Sequence, residues 1–459
     1  MNTSNFVLRG SVCYSAGAES LLVMDDGFLV CEDGVSKGCF PRPPAEYKNF
    51  PLVDYSGKLV VPGLTDLHMH APQYSFRALA MDMELLEWLN THTFPEEAKY
   101  EDLEYAEKAY SILVKDLKEG PNTRALLFAT IHVPAAMLLA GMMEESGLVS
   151  FVGKVNMDRN SPACLCEKSA GASLAATREW LKLSLGKSWK NTAPILTPRF
   201  IPSCSDELMK GLSVIQKEFG LPLHSHLSEN RKECAWVREL CPETSGYGNA
   251  YERYDLAGGS VPTVMAHCVW SDDGEIKMLA ERGVYAAHCP QSNTNLSSGI
   301  APARRFLDAG MRVGLGSDVA GGAHVSIFRA MTDAIQVSKL RQALVSPDEK
   351  ALTFEEAFYL GTAGGGSFFA AAGAAVHKGG QKGPGPAGSF ESGFDFDALV
   401  IDDSGLASPS PLSVRDRLER AVYLSDNRNI IAKYVRGNLI HSLPREQTRT
   451  KPPQKAPGR

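Results

Sequence analysis

His68 and His70 close a largely apolar stretch that begins at Leu59, as His-Met-His. Alternate residues of a strand project to one face, so the two imidazoles point the same way. Two neutral imidazoles together at the end of a buried strand are half of a metal site. Taken alone, they could equally be two polar residues closing a strand. Three later segments repeat the pattern. Leu221 to Glu229 is a short apolar strand ending in His224, His226 and Glu229; Val261 to His267 ends in His267; Val313 to Asp318 ends in Asp318. Four strands therefore end in metal-ligand types. Several strand ends converging on one site is what the top face of a (β/α)8 barrel supplies.

The ligand set read from these ends is His68, His70, His226, His267 and Asp318. Four imidazoles and a carboxylate suit one zinc ion, with iron(II) as a substitute. Asp318 can bind weakly while contacting a water, and zinc brings the pKa of such a water to about 7. Glu229 lies three residues past His226, off the strand and in its loop, where a carboxylate reaches substrate rather than metal. This is similar to zinc deaminases, in which a glutamate that is not a ligand moves protons. The other reading of Ser228-Glu229-Asn230 is a helix cap. Glu229 and Asp318 are thus the expected catalytic pair. The fourth strand, Ala193 to Ile201, holds no lysine that could bridge two metals; Lys154, on the third, reads as a structural or surface charge.

These residues need a scaffold of strands alternating with helices. Eight candidate strands run Leu59 to His70, Arg124 to His132, Val149 to Met157, Ala193 to Ile201, Leu221 to Glu229, Val261 to Val269, Val284 to Pro290 and Arg312 to Asp318. Helical patterns fall between them at 103–119, 206–219, 272–281 and 326–340. The expected fold is α/β, a (β/α)8 TIM-like barrel over 62–375. Short strand patterns at both chain ends, 1–61 and 391–443, are expected to pair into one small β-domain. Residues 376–390 read as a Gly/Pro-rich loop and 445–459 as a disordered basic tail.

Composition narrows the function. With 459 residues the chain exceeds one simple core, and a barrel of ~250 residues or more makes two units likelier than three. A net charge of −6, from 47 basic and 53 acidic residues, argues against nucleic acid as the main partner. The ten cysteines are scattered without Cys-x-x-Cys pairs, which argues against structural zinc or a disulfide framework. No basic-then-apolar leader is visible, and no apolar stretch approaches the ~20 residues that span a bilayer. The chain reads as a cytoplasmic enzyme with no membrane partner.

The motifs resemble the amidohydrolase superfamily over roughly residues 55–440. The resemblance rests on the opening Pro62 to Tyr74, Leu85 to Leu89, Thr93 to Pro95, Val152 to Val155 and Thr197 to Phe200. It continues through Ser225 to Arg231, Met265 to His267, Ala287 to Asn293 and Gly314 to Gly322. The segments with Gln73, Trp88 and Arg199-Phe200 are those of members that deaminate guanine. The resemblance implies hydrolysis of guanine at C2 to xanthine and ammonia, with guanine and water as partners, in a homodimer. It implies substrate contacts at His70, Gln73, Trp88, Arg199, Phe200 and His226, besides Glu229 and Asp318. Arginine can donate to the purine O6, an aromatic ring can lie on the purine, and a glutamine can both donate and accept. Each also has a plainer reading: Arg199 as an ion-pair residue, Phe200 as core, Gln73 as a surface amide. The departures are Pro121 to Ala125, the long Gly-rich loop from Ala370 to Gly388, and the basic tail. Two other functions stay open: another purine or triazine aminohydrolase with the same metal site, and a silent scaffold of this fold. The second would be expected to have lost ligands.

Overall fold

The structure is a computed structural model that describes residues 5–376 and 383–443. The basic tail, 445–459, and the middle of the Gly/Pro-rich loop, 377–382, lie outside the described residues. Strands β1 (Phe6–Gly17), β2 (Ser20–Glu32), β3 (Val35–Phe40) and β4 (Leu52–Pro62) precede β5 (Leu64–His70). There follow β6 (Asn122–Phe128), β7 (Val149–Gly153), β8 (Val155–Asn156), β9 (Thr192–Pro194), β10 (Thr197–Pro198), β11 (Leu223–Leu227), β12 (Thr263–His267), β13 (Tyr285–His288) and β14 (Arg312–Leu315). The chain ends in β15 (Ala398–Ile401), β16 (Ile430–Val435) and β17 (Asn438–Ser442).

One seven-stranded sheet takes strands from both ends of the chain, in the order β17-β16-β15-β4-β1-β2-β3. The join is antiparallel, with Ala398 opposite Pro62 and Ile401 opposite Leu59. Its inner face packs Phe6, Leu8, Val12, Val60, Phe390 and Phe396 into a core of its own. The segment after β15 also holds a helix, Val414–Leu424, not read from the sequence although Val414, Leu418, Ala421 and Val422 recur at helical spacing and are buried. Arg417 fastens it, donating to Asp403 and to the carbonyl of Gly57.

The remaining strands are parallel and alternate with helices, so the protein is of mixed α/β class. They form two four-stranded sheets, β5-β6-β7-β9 and β11-β12-β13-β14, and a short pair, β8-β10. A bridge from Leu196 to Leu223 lies between the two sheets on one side. On the other, the backbone N–H of Asp318 donates to His68 O and that of His70 to Val319 O. The helices read from the sequence are present at Leu103–Glu119, Asp206–Phe219, Asp273–Glu281 and Ile327–Leu344. The first begins at Asp102, whose carboxylate accepts from the N–H groups of Glu104 and Tyr105.

The single strand expected over Leu59 to His70 is two strands. The chain leaves the large sheet after Pro62 and enters the parallel set at Leu64. Gly63 makes the crossing: a Cβ there would lie 2.2 Å from the Thr123 side chain. Its N–H donates to Asp397 O, which ties the crossing to β15. Arg124 on β6 adds a second tie. Buried, it donates from Nε to Asp397 at 2.7 Å and from Nη2 to Asp395 at 2.8 Å. Among the described residues no helix is long and apolar enough to cross a membrane, and none of the cysteines is in a disulfide.

Candidate metal centre

The ends of β5, β11 and β12 and the turn after β14 converge. Buried strands deliver His68, His70, His224, His226 and His267 to one place, and the backbone bends there. His267, Ser228 and Asp318 have φ of +74°, +48° and +45°. A left-handed backbone on a residue with a side chain costs on the order of 1–3 kcal/mol and tends to mark functional sites.

The geometry of the nitrogens suits an ion. His70 Nε2 lies 3.0 Å from His226 Nε2. Asp318 Oδ1 is 3.0 Å from His68 Nε2 and 3.5 Å from His70 Nε2, and Asp318 Oδ2 is 3.8 Å from His267 Nε2. Ligands at about 2.0–2.1 Å around a tetrahedral ion stand about 3.3 Å apart. In two overlapping triads the ligand atoms lie within 4.8 Å of one another: His68, His226 and His267, and His68, His70 and Asp318. The Nε2 atoms of His68 and His267 are buried and make no hydrogen bond. Three of the other ring nitrogens are engaged. His226 Nδ1–H donates to Arg199 O at 2.6 Å, and His267 Nδ1–H to Asn293 Oδ1 at 2.9 Å. His68 Nδ1 is paired with His224 Nε2 at 2.7 Å. Such partners fix the tautomer that leaves Nε2 with a free lone pair. Burial, and then the neighbouring imidazoles, pull His70 and His226 well below the ordinary histidine range; burial does the same for His68. All three are neutral and ready to ligate.

Glu229 stands beside this set without joining either triad. Its Oε2 is 3.5 Å from His267 Nε2, and its Oε1 accepts from Ser298 Oγ at 3.1 Å. Burial first, and then the charge of Asp318, push its carboxyl up to about 8. It does not cap a helix. Asn230 caps Arg231–Leu240, with Glu233 closing the capping box.

A cavity opens onto the centre. His70, Gln73, Trp88, Arg199, Phe200, His226, Glu229 and Asp318 all line it. His68 lies behind them. The buried indole N–H of Trp88 makes no hydrogen bond. Phe200 is half-buried and meets Trp236 edge-on. Gln73 is buried rather than a surface amide. Arg199 is paired with Glu97, at 2.7 and 3.1 Å. Sequence reasoning did not single out Glu97, which follows the Thr93-Phe94-Pro95 segment in a short helix. It also left out of the ligand set His224, which backs His68, and His288, whose two ring nitrogens are buried without hydrogen bonds and which burial pulls down to about 4. Lys154 is buried and ion-paired with Glu167, so it is not a surface charge.

Residues 59–440 match the Amidohydrolase family. The chain is 38% identical over 393 residues to a guanine deaminase of Dictyostelium discoideum, covering 85% of this chain and 84% of that protein. It is 37% identical over 388 residues to the guanine deaminase of Homo sapiens, covering 83% and 82%. Among solved structures, guanine deaminase from C. acetobutylicum with guanine bound in its active site aligns at a TM-score of 0.88 and 41% identity. That alignment covers 95% of this chain and all of that one.

Proposed function

The chain belongs to the amidohydrolase family, and we infer that it hydrolyses guanine at C2 to xanthine and ammonia. One observation carries the inference. A single cavity is lined by ligand-type groups (His70, His226, His267, Asp318), by the carboxyl of Glu229, and by Gln73 and Arg199, which suit a purine edge. The likeness to guanine deaminases, one of them with guanine bound, supports it. A silent scaffold would not retain this set.

His68, His70, His226, His267 and Asp318 would hold one divalent ion, zinc by its donor set, with iron(II) able to replace it. The ion supplies Lewis-acid activation of water at neutral pH. The protein's own groups move the protons. Asp318 takes the first proton of the attacking water. Glu229 gives its own proton to ring N3, which makes C2 electrophilic, takes up the second proton as the C2 hydroxyl becomes a carbonyl, and delivers it to the departing amine; the proton held by Asp318 then restores Glu229. Arg199 donates to O6, and Gln73 pairs with the purine edge. Trp88 and Phe200 supply flat apolar walls. We further propose that the two parallel sheets close into one eight-stranded barrel, since main-chain contacts lie at both seams. In this reading 1–61 and 391–443 form the second unit, and the enzyme works as a cytoplasmic homodimer.

The test is a deamination assay of the metal-loaded protein on guanine, 8-oxoguanine, adenine, cytosine and ammeline. Xanthine and ammonia from guanine, well above the other substrates, is the expected result. Turnover of ammeline or adenine in preference to guanine would reassign the substrate. No turnover at all would favour the scaffold.

A further inference from the structure

The two side chains proposed to read the purine do not stand free. Both are held by one carboxylate that the reaction itself does not use. Arg199 donates from Nη1 and Nη2 to the two oxygens of Glu97 at 2.7 and 3.1 Å. Gln73 Nε2 donates to Glu97 Oε1 at 2.8 Å. Glu97, Arg199 and Gln73 are only 2%, 4% and 2% exposed, so water does not compete for these bonds. The carboxylate is itself fixed. It sits in the five-residue helix Phe94–Ala98, in which its neighbour Glu96 accepts from Ser75 Oγ at 2.5 Å and Lys99 Nζ at 2.6 Å. Phe94 of the same helix lies under the guanidinium, 5.1 Å from ring centre to Cζ.

On the reading that guanine is the substrate, we propose that Glu97 is a positioning residue that sets selectivity for a 6-oxopurine. It acts through Arg199 and Gln73. Arg199 has five N–H donors and no acceptor; two are taken by Glu97, which leaves three and a fixed plane. Gln73 is held with its NH2 end on Glu97 while its Oε1 accepts from the Ala320 N–H at 3.3 Å. Inverting that amide would set its oxygen against a carboxylate oxygen, so the charge of Glu97 fixes its polarity. Arg199 as held donates to a 6-oxo group and cannot accept from a 6-amino group. Removing the charge of Glu97 frees both readers, one to swing and the other to invert.

The experiment compares Glu97→Gln and Glu97→Asp, each alone and in an Arg199→Leu background, in the full-length metal-loaded enzyme. KM and kcat for guanine are measured beside the inhibition constants of hypoxanthine, which keeps O6 but lacks the 2-amino group, and of purine, which lacks both. Glu97→Gln should raise the guanine KM and the hypoxanthine inhibition constant together by at least about tenfold, the scale of a lost charged hydrogen bond. The purine constant and metal content should stay unchanged, and kcat should move far less than KM. In the Arg199→Leu background the same substitution should add much less, leaving only the part that passes through Gln73. Glu97→Asp, which keeps the charge, should recover part of the loss and gives the same comparison if Glu97→Gln does not fold. Equal shifts for hypoxanthine and purine, losses that multiply in the double variant, or unchanged guanine kinetics would each overturn the proposal. Absence of guanine turnover in the unaltered enzyme would instead overturn the functional reading beneath it.

Discussion

In the proposed mechanism the chemistry turns on Glu229. It is buried among groups that could hold a metal, yet belongs to neither triad. Glu229→Gln keeps its shape and removes its proton. Because general acid–base catalysis contributes typically about 10²–10⁴ in rate, kcat should fall by at least that range. Metal content and guanine binding, read by metal analysis and calorimetry, should be retained. The neighbouring histidines predict a pH dependence of the metal-free protein. Burial holds His68, His70, His224 and His226 well below the ordinary histidine range in the folded state. Below about pH 6.5 the unfolded chain therefore binds more protons than the folded one, and stability falls as pH falls. Five carboxyls raised in the folded state, Asp66, Glu229, Glu233, Glu275 and Asp333, work in the opposite direction, against eight lowered histidines once His132, His288, His324 and His441 are counted. Melting temperatures of chelated protein should drop from pH 7 to pH 5; a flat profile would contradict the buried neutral histidines. The strand-end histidines were legible because an apolar run ending in His-x-His points two rings one way. Strand period could not separate His224 from His226, which share a face. Glu97 was not legible, since its partner Arg199 is distant in sequence and nothing in the residues between them announces the pair.

At the scale of elements, the alternation of strands and helices was legible from apolar runs and helical spacing, but one boundary was not. Leu59 to His70 reads as one strand because its apolar character barely breaks at Pro62-Gly63. The break is set by tertiary contact: Thr123 leaves no room for a side chain at position 63, and Asp397 O takes the N–H of Gly63. Gly63→Ala should therefore destabilise by about 1–3 kcal/mol, the usual cost of overpacking. Denaturant unfolding checks this, and Thr123→Ala in the same chain should recover most of the loss. Helix Val414–Leu424 was missed for a different reason. Five of its eleven residues are charged, and it lies between strands that drew the reading toward a purely β segment.

At the scale of the whole molecule, Arg124 joins the parallel strands to the segment that leads into β15. Replacing it with Met leaves buried Asp397 without its cation and Asp395 with only the longer contact to Arg436, at 3.7 Å. Breaking a buried pair in this way costs about 3–5 kcal/mol, so Arg124→Met should lower the melting temperature sharply with no change at the metal centre. The large sheet and the parallel strands should be lost together in a single transition in calorimetry. The large sheet has one more consequence, which concerns the chain while it is being made. β4 takes its neighbour β15 only when Ala398 to Ile401 have been synthesised, more than three hundred residues after Pro62. At about 5–20 residues per second that is on the order of 20–60 s on the ribosome. Throughout that time the edge made by Leu59, Val60 and Val61, apolar and fully covered in the finished enzyme, has no strand to pair with. A message cut short before codon 398 would yield a protein that carries every strand-end histidine and Asp318 but leaves that edge open, and such a product would be a client for chaperones or proteases.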